Sequence, residues 1–353
     1  MNIAARIKDT KYTPFLCRPL KTYDIKDLED AISKDATFIL QTDGKNKIAL
    51  SWWVSSKRTR SYPYARVYDS LDFMGKKVTI IPAIKDEGAE GDRDFLQWDT
   101  ISLMRLLDIY VIISYYKTAK PSERYKNKIT KQRFDIEQIK KEITNLSSYH
   151  SSALHWNIAQ IDKLAEISNN ALKSYDEIAS KLKIVMHNRD GAEKRIAEIK
   201  KSKDAFMRLS RQLAESAQKR ESATTQVKEL VDGTKATITI SNYVGGFYFF
   251  TCDEVRIKGN SIFLIDAKNT TRGHLPSLSD IKDALLKMVL FSNLKNVEID
   301  GNHYNPIATI KLTGNDVIKR SSLSGGEKEM FERLIREAKT NSFKILLNNT
   351  VVV

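Results

Sequence analysis

The sequence predicts a mixed α/β protein: an N-terminal α/β part at 1–120, a helical part at 121–224, and an α+β part with a mixed sheet at 225–353. Three observations carry this. Short apolar or alternating runs of strand length, punctuated by Gly, Asn and Asp, recur toward both ends of the chain. Between them, 121–232 is rich in Lys, Glu, Ala, Ile, Leu and Ser and almost free of Gly and Pro. Late in the chain, two strand-like runs flank Gly259-Asn260, a two-residue hairpin signal.

Composition bounds the function. At 353 residues the chain is long enough for two or three domains and a proper core. Hydrophobic residues make up 41% and charged residues 29%, an ordinary balance for a soluble protein. A net charge of +14 favours a polyanionic partner, with nucleic acid first. No apolar run is long enough to span a bilayer, and residues 1–20 are polar and mixed, unlike a signal peptide. Cys17 and Cys252 lie far apart and no Cys/His spacing suits a metal, so a reducing cytoplasm without membrane attachment is expected.

Residues 1–34 read as partly helical, with a helix over 24–32 that opens on acidic residues. Residues 37–41 and 47–54 read as a strand pair around Asp43-Gly44. From 51 to 64, Trp52, Trp53, Tyr62 and Tyr64 interleave with Lys57, Arg58 and Arg60. That mixture suits nucleic acid, since bases stack on aromatics while cations meet phosphates. It equally suits core aromatics beside a solvated basic loop. Residues 65–69 and 77–81 read as strands, 85–94 as a solvated acidic loop, 95–107 as a helix and 109–116 as an apolar strand. The order Asp69, strand, Lys85 echoes the later motif described below, with Ala83 where an acid would be needed and Asp86 or Glu87 as a migrated substitute. The N-terminal part therefore reads as a nucleic-acid recognition unit or a degenerate copy of the unit that carries that later motif.

In the middle region, Ile136, Ile139, Ile143 and Leu146, and then Ile158, Ile161, Leu164 and Ile167, recur at helical spacing. Several long helices are expected, with basic clusters at 117–131 and 194–203 that could clamp a duplex through its phosphates. Glu229 falls in the last helical turns, 225–231, before the late strands, where it is a candidate for a further acid and equally a surface glutamate.

Strands are expected at 234–241 and 247–251, turning at Gly245-Gly246. Residues 255–258 alternate apolar and charged side chains, and 262–265 are an apolar run ending in Asp266-Ala267-Lys268. Period two puts Asp266 and Lys268 on one face, and the hairpin folds Asp253 back toward the same end. Two carboxylates from separate strands can hold Mg²⁺ in an incomplete shell, leaving room for water and a phosphate oxygen. A lysine beside them can orient or activate that water and balance the charge that builds on phosphorus. A phosphodiester is the substrate class this chemistry implies.

An acid, a short hairpin, and then acid-x-Lys at the end of an apolar strand resembles the PD-(D/E)xK nuclease superfamily. The continuation, a polar loop and then a helix from Pro276-Ser277-Leu278 onward, is similar to type II restriction endonucleases. One departure is Cys252, where that pattern commonly has proline before the first acid. The resemblance covers about the last third of the chain and implies a restriction-endonuclease-like core with a long helical insert and an N-terminal α/β domain. By the resemblance, Asp253 and Asp266 bind Mg²⁺ and Lys268 is the catalytic lysine. Arg272 and His274, in the loop after Lys268, join Lys57, Arg58 and Arg60 as candidate nucleic-acid contacts.

After the motif, a helix over 278–290 is expected to pack Leu285, Met288 and Val289 on the sheet, with Lys282 and Lys287 facing out or toward phosphate. Strands follow at 297–299 and 307–312, a helix at 324–338 and a strand at 343–347. Leu323-Ser324-Gly325-Gly326-Glu327 resembles an ABC-type ATPase signature, but no phosphate-cradling G-x-x-x-x-G-K-[ST] loop accompanies it. A Gly-rich turn into a helix capped by Ser324 is the simpler account. The sequence thus points to a Mg²⁺-dependent endonuclease of a restriction system, cutting double-stranded DNA as a homodimer. The alternative is a non-enzymatic, helix-rich DNA-binding or scaffolding protein.

Overall fold

The computed structural model describes residues 1–42, 46–57, 62–201, 234–242, 247–271 and 275–353. Contacts divide the chain into two units, Met1–Arg18 with Gln212–Val353, and Pro19–Arg211. This division differs from one drawn at 120 and 224. The middle helices pack on the strands before them, and the first strand joins the C-terminal unit. β1 (Asn2–Ile7) buries Ile3, Ala5 and Ile7 in strict alternation and pairs in parallel with a strand more than two hundred residues later. Nothing local in 1–34 announces that partner; the helical part of this stretch is Ile25–Asp27 and Leu28–Lys34.

The unit Pro19–Arg211 contains β2 (Thr22–Asp24), α1 (Leu28–Lys34), β3 (Thr37–Gln41), β4 (Lys47–Trp52), α2 (Pro63–Tyr68) and β5 (Lys76–Pro82). Next come β6 (Ile84–Asp86), β7 (Arg93–Phe95), α3 (Trp98–Leu106) and β8 (Ile109–Ser114). Its sheet runs β2-β3-β4-β5-β8, antiparallel only between β3 and β4. The last two strands are buried almost throughout, which is why they read as unbroken apolar runs. Residues 65–69 are helical instead of extended. Pro63 stands at the first turn, where its fixed φ suits a helix, and Tyr68 and Val67 are apolar because that helix is buried.

β9 (Tyr116–Pro121) and β10 (Ile129–Phe134) form a two-stranded hairpin. The basic cluster 117–131 therefore lies on a β-ribbon and not on a helix. Only Tyr116, Ile129 and Phe134 are buried along it, too few apolar positions to declare period two. The helices that follow are α4 (Ile136–Ser147), α5 (Ala153–Leu182) and α6 (Asp190–Lys201). Helix α5 does more than cover apolar surface. β8 is the edge of its sheet, and α5 side chains take the place of a neighbouring strand. Asn157 Oδ1 accepts from Val111 N–H at 2.7 Å, Asn157 Nδ2 donates to Ile109 C=O at 2.9 Å, and Trp156 Nε1 donates to Val111 C=O at 2.7 Å.

The other unit is built from β1 with β11 (Thr234–Asn242), β12 (Phe247–Lys258), β13 (Ser261–Thr270), α7 (Leu278–Phe291), β14 (Lys295–Ile299) and β15 (Asn302–Gly314). It ends with α8 (Gly325–Asn341), β16 (Lys344–Leu347) and β17 (Thr350–Val351). β11, β12 and β13 form an antiparallel meander, and β15 lies parallel to β13. β15 also pairs with β14, which pairs with β1, so the ladder β13-β12-β11-β1-β14-β15 closes back on β13. Helix α7 starts at Ser277, whose side chain accepts from Asp280 N–H, and buries Ile281, Leu285 and Met288 against β13 and β15. Ser324 caps α8 in a reciprocal capping box with Glu327, which gives the Ser-Gly-Gly-Glu stretch a structural role at a helix start.

Candidate active site

The hairpin turns at Gly259, whose φ is +59°. Its register pairs Val255 with Leu264 and ends at Glu254 with Ile265, the immediate neighbours of Asp253 and Asp266. β12 carries one extra residue against β11 between Cys252 and Val255, a bulge that contains Asp253 and Glu254. Bulges of this kind bend a strand and re-aim its side chains. Asp253 Oδ2 accepts from Ala267 N–H at 2.8 Å, so its carboxylate reaches the backbone between Asp266 and Lys268. Lys268 Nζ lies 3.1 Å from Asp266 Oδ2. The three predicted residues are thus brought together at one strand end.

Two residues of α7 complete the group. Asp283 Oδ2 is 3.4 Å from Lys268 Nζ, and Lys287, one turn on from Asp283, donates to Asp266 Oδ1. Lys287 does not face solvent. Lys282, like Lys287 expected to face out or toward phosphate, is buried. Sequence reasoning passed over Asp283. The available signal was an Asp and a Lys at i, i+4 on the helix following the motif.

Burial pushes the Asp266 carboxyl up, but the Lys268 and Lys287 ammoniums outweigh it and hold the group well below the usual carboxylate range. Burial lowers Lys268, yet Asp266 and Asp283 more than compensate, so it sits above the ordinary lysine value. Burial raises Asp283. At neutral pH, therefore, Asp266 is an anion and Lys268 a cation. Asp266 Oδ2 is buried and, despite the 3.1 Å approach of Lys268, makes no aligned hydrogen bond. A buried anionic carboxylate, with a second carboxylate on the neighbouring strand, is a hard-oxygen donor set of the kind that suits a divalent cation. Among the described residues no group of three or more His, Cys, Asp or Glu side chains is arranged to hold a metal.

The opposite face of the same sheet is charged as well. Glu254 pairs with Lys311 at 2.9 Å, both essentially inaccessible, and Arg256 Nε donates to the other Glu254 oxygen. Lys311 stands beside Ala267 in the parallel ladder, so it shares the face away from Asp266 and Lys268. Cys252 Sγ lies 3.3 Å from the carbonyl oxygens of Glu254 and Ile265, and burial pushes its thiol up, which makes it a packing residue at the bulge.

The remaining candidates fall in other places. Arg58, Arg60, Arg272, His274 and Glu229 lie outside the described residues, as do Asp43-Gly44 and Gly245-Gly246. Lys57 pairs with Asp94 at 2.5 Å, and Asp94 also accepts from Ser55 Oγ. Trp53 is buried, and Trp52 packs edge-on to Phe134 under the Arg66 guanidinium, so these aromatics are core. Residues 85–94 are only partly a solvated acidic loop: Glu90 and Asp92 are exposed. Lys85, Asp86, Glu87 and Asp94 are all buried, with Lys85 2.7 Å from Glu87 and His187 Nδ1 2.7 Å from Asp86. Asp69 follows a helix where the motif of the other unit has a strand, which removes most of the internal echo. Among the described residues no helix is long and apolar enough to cross a membrane. The chain matches no protein-family model, no curated protein and no solved structure.

Proposed function

We propose that this chain is a Mg²⁺-dependent endonuclease that hydrolyses phosphodiester bonds in double-stranded DNA, of the type II restriction kind and with a restriction-endonuclease-like core in its C-terminal part. The observation that carries the reading is the approach of Lys268 to Asp266 at 3.1 Å while Asp253 reaches the backbone of Ala267 between them. The strand-hairpin-strand order, the polar stretch after Lys268 and the helix that follows support it.

Asp253 and Asp266 would hold the metal. A bound Mg²⁺ supplies Lewis acidity toward a phosphate oxygen and a lowered pKa for bound water. Hydrolysis joins a water oxygen to phosphorus as one P–O ester bond breaks, and the departing alkoxide takes up a proton. Lys268 would orient or activate the attacking water and donate hydrogen bonds that offset negative charge on the five-coordinate phosphorus. Lys287 is a counter-ion of Asp266 Oδ1 and would help to position that carboxylate for a cation. Two copies related by a two-fold axis would cut the two strands of a palindromic site.

One observation favours a second reading. Asp266 already has two lysine partners, as a purely structural ion network would, and a non-enzymatic DNA-binding or scaffolding protein needs nothing more. Incubation with supercoiled plasmid separates the two. The wild type is expected to nick or linearise plasmid in Mg²⁺ and not in EDTA, and Lys268→Ala is expected to be inert in both. Intact plasmid with the wild type across duplexes of varied sequence, despite DNA binding, would favour the binder.

A further inference from the structure

The basic hairpin β9–β10 carries more than solubility. Residues 117–133 hold Lys117, Lys120, Arg124, Lys126, Lys128, Lys131 and Arg133 against one acid, Glu123. Three of these cations are matched: Lys117 with Asp135 at 3.8 Å, Lys128 with Glu87 at 3.3 Å and Arg133 with Glu29 at 3.1 Å. Lys120, Arg124, Lys126 and Lys131 are exposed, and their side chains have no ion-pair or hydrogen-bond partner among the described residues.

The ribbon is nevertheless firmly placed. Ile129 N–H donates to Glu87 C=O at 2.8 Å, Asn127 N–H to Glu90 Oε2 at 2.5 Å, and Gln132 Nε2 to Asp86 C=O at 2.6 Å. A Cβ on Gly88 would stand 2.4 Å from Asn127 O, so the turn is seated against that loop. Between Thr130 and Arg133 the register slips, and Lys131 adopts φ +51°, the left-handed region that a lysine occupies at a cost. That bulge lets Gln132 turn inward to Asp86 while Lys131 stays outside.

We infer that the β9–β10 hairpin is a double-stranded DNA contact element, with Lys120, Arg124, Lys126 and Lys131 meeting backbone phosphates. The choice of DNA rests on the nuclease reading; the contact itself rests on the ribbon. A two-stranded ribbon is one of the two elements that the major groove admits. Single strands are gripped by several stacked aromatics, and Tyr125 is the sole exposed aromatic among 117–134.

The test is fluorescence anisotropy of a labelled duplex, without divalent metal, from 50 to 200 mM salt. The variant Lys120→Ala/Arg124→Ala/Lys126→Ala/Lys131→Ala is compared with a charge-matched control, Lys26→Ala/Lys173→Ala/Lys181→Ala/Lys183→Ala, at exposed positions elsewhere in the same unit. The hairpin variant is expected to bind roughly ten- to a hundredfold more weakly, with its salt slope shallower by about 3. The control is expected to stay near wild type. Lys131→Gly relieves the left-handed φ, so it is expected to weaken binding while melting no lower than wild type, which a merely structural lysine would not do. Equal binding by the hairpin variant and the wild type, or equal losses in both multiple variants, overturns the proposal and leaves the nuclease reading standing. Losses confined to single-stranded RNA or anionic vesicles overturn the duplex assignment. A wild type with no affinity for any duplex removes the nuclease reading as well.

Discussion

Replacing Asp266 by asparagine is expected to lower Mg²⁺-dependent DNA cleavage by about a thousandfold or more, equivalent to roughly 4 kcal/mol of lost transition-state stabilisation. Asn keeps the shape of the side chain and removes the charge, so on the proposed mechanism the metal would lose an anionic ligand. The alanine variant should be equally inactive but less stable. Asp266 is 1% exposed and lies between Lys268 and Lys287, and truncating it leaves two ammoniums partly buried without their shared anion. Single-turnover cleavage of a labelled duplex, with a thermal melt on each variant, separates loss of chemistry from loss of fold. A wild-type rate in Asp266→Asn would sink the assignment.

The second large effect concerns stability. Lys311→Met is expected to destabilise the C-terminal unit by about 3–5 kcal/mol, because it strands Glu254, which is fully buried, with Arg256 at the sheet rim. The double variant Glu254→Leu/Lys311→Met should recover much of that loss, since both desolvated charges then disappear together. Urea denaturation followed by far-UV circular dichroism reads the difference. A single variant as stable as wild type would mean that Glu254 and Lys311 are not mutually dependent. This pair stands on the opposite face from Lys268, so the double variant also tests whether the sheet can lose one ion pair and keep the other.

Much of the candidate site was legible in the sequence, because its geometry is local. Gly259-Asn260 sets the hairpin, the run 262–265 sets the buried strand, and period two aligns Asp266 with Lys268. What escaped is long-range. The partner of β1 lies beyond residue 233, and no window over 1–34 contains it. Glu254 and Lys311 are 57 positions apart and meet only once β15 lies parallel to β13. A lysine inside the apolar run Ala308-Thr309-Ile310-Lys311-Leu312 was nonetheless a visible anomaly that called for a buried acid. The basic ribbon at 117–131 does not read as strands because its charges hide the alternation, and the buried acids Asp86 and Glu87 read as solvated because their partners, Lys85, Lys128 and His187, come from three separate places.

Manganese binding, titrated by electron paramagnetic resonance in the absence of DNA, tests the account at its centre. The wild type is expected to show a saturable site that Asp253→Asn/Asp266→Asn abolishes while melting as a folded protein. Binding of equal stoichiometry and affinity in both proteins would contradict it.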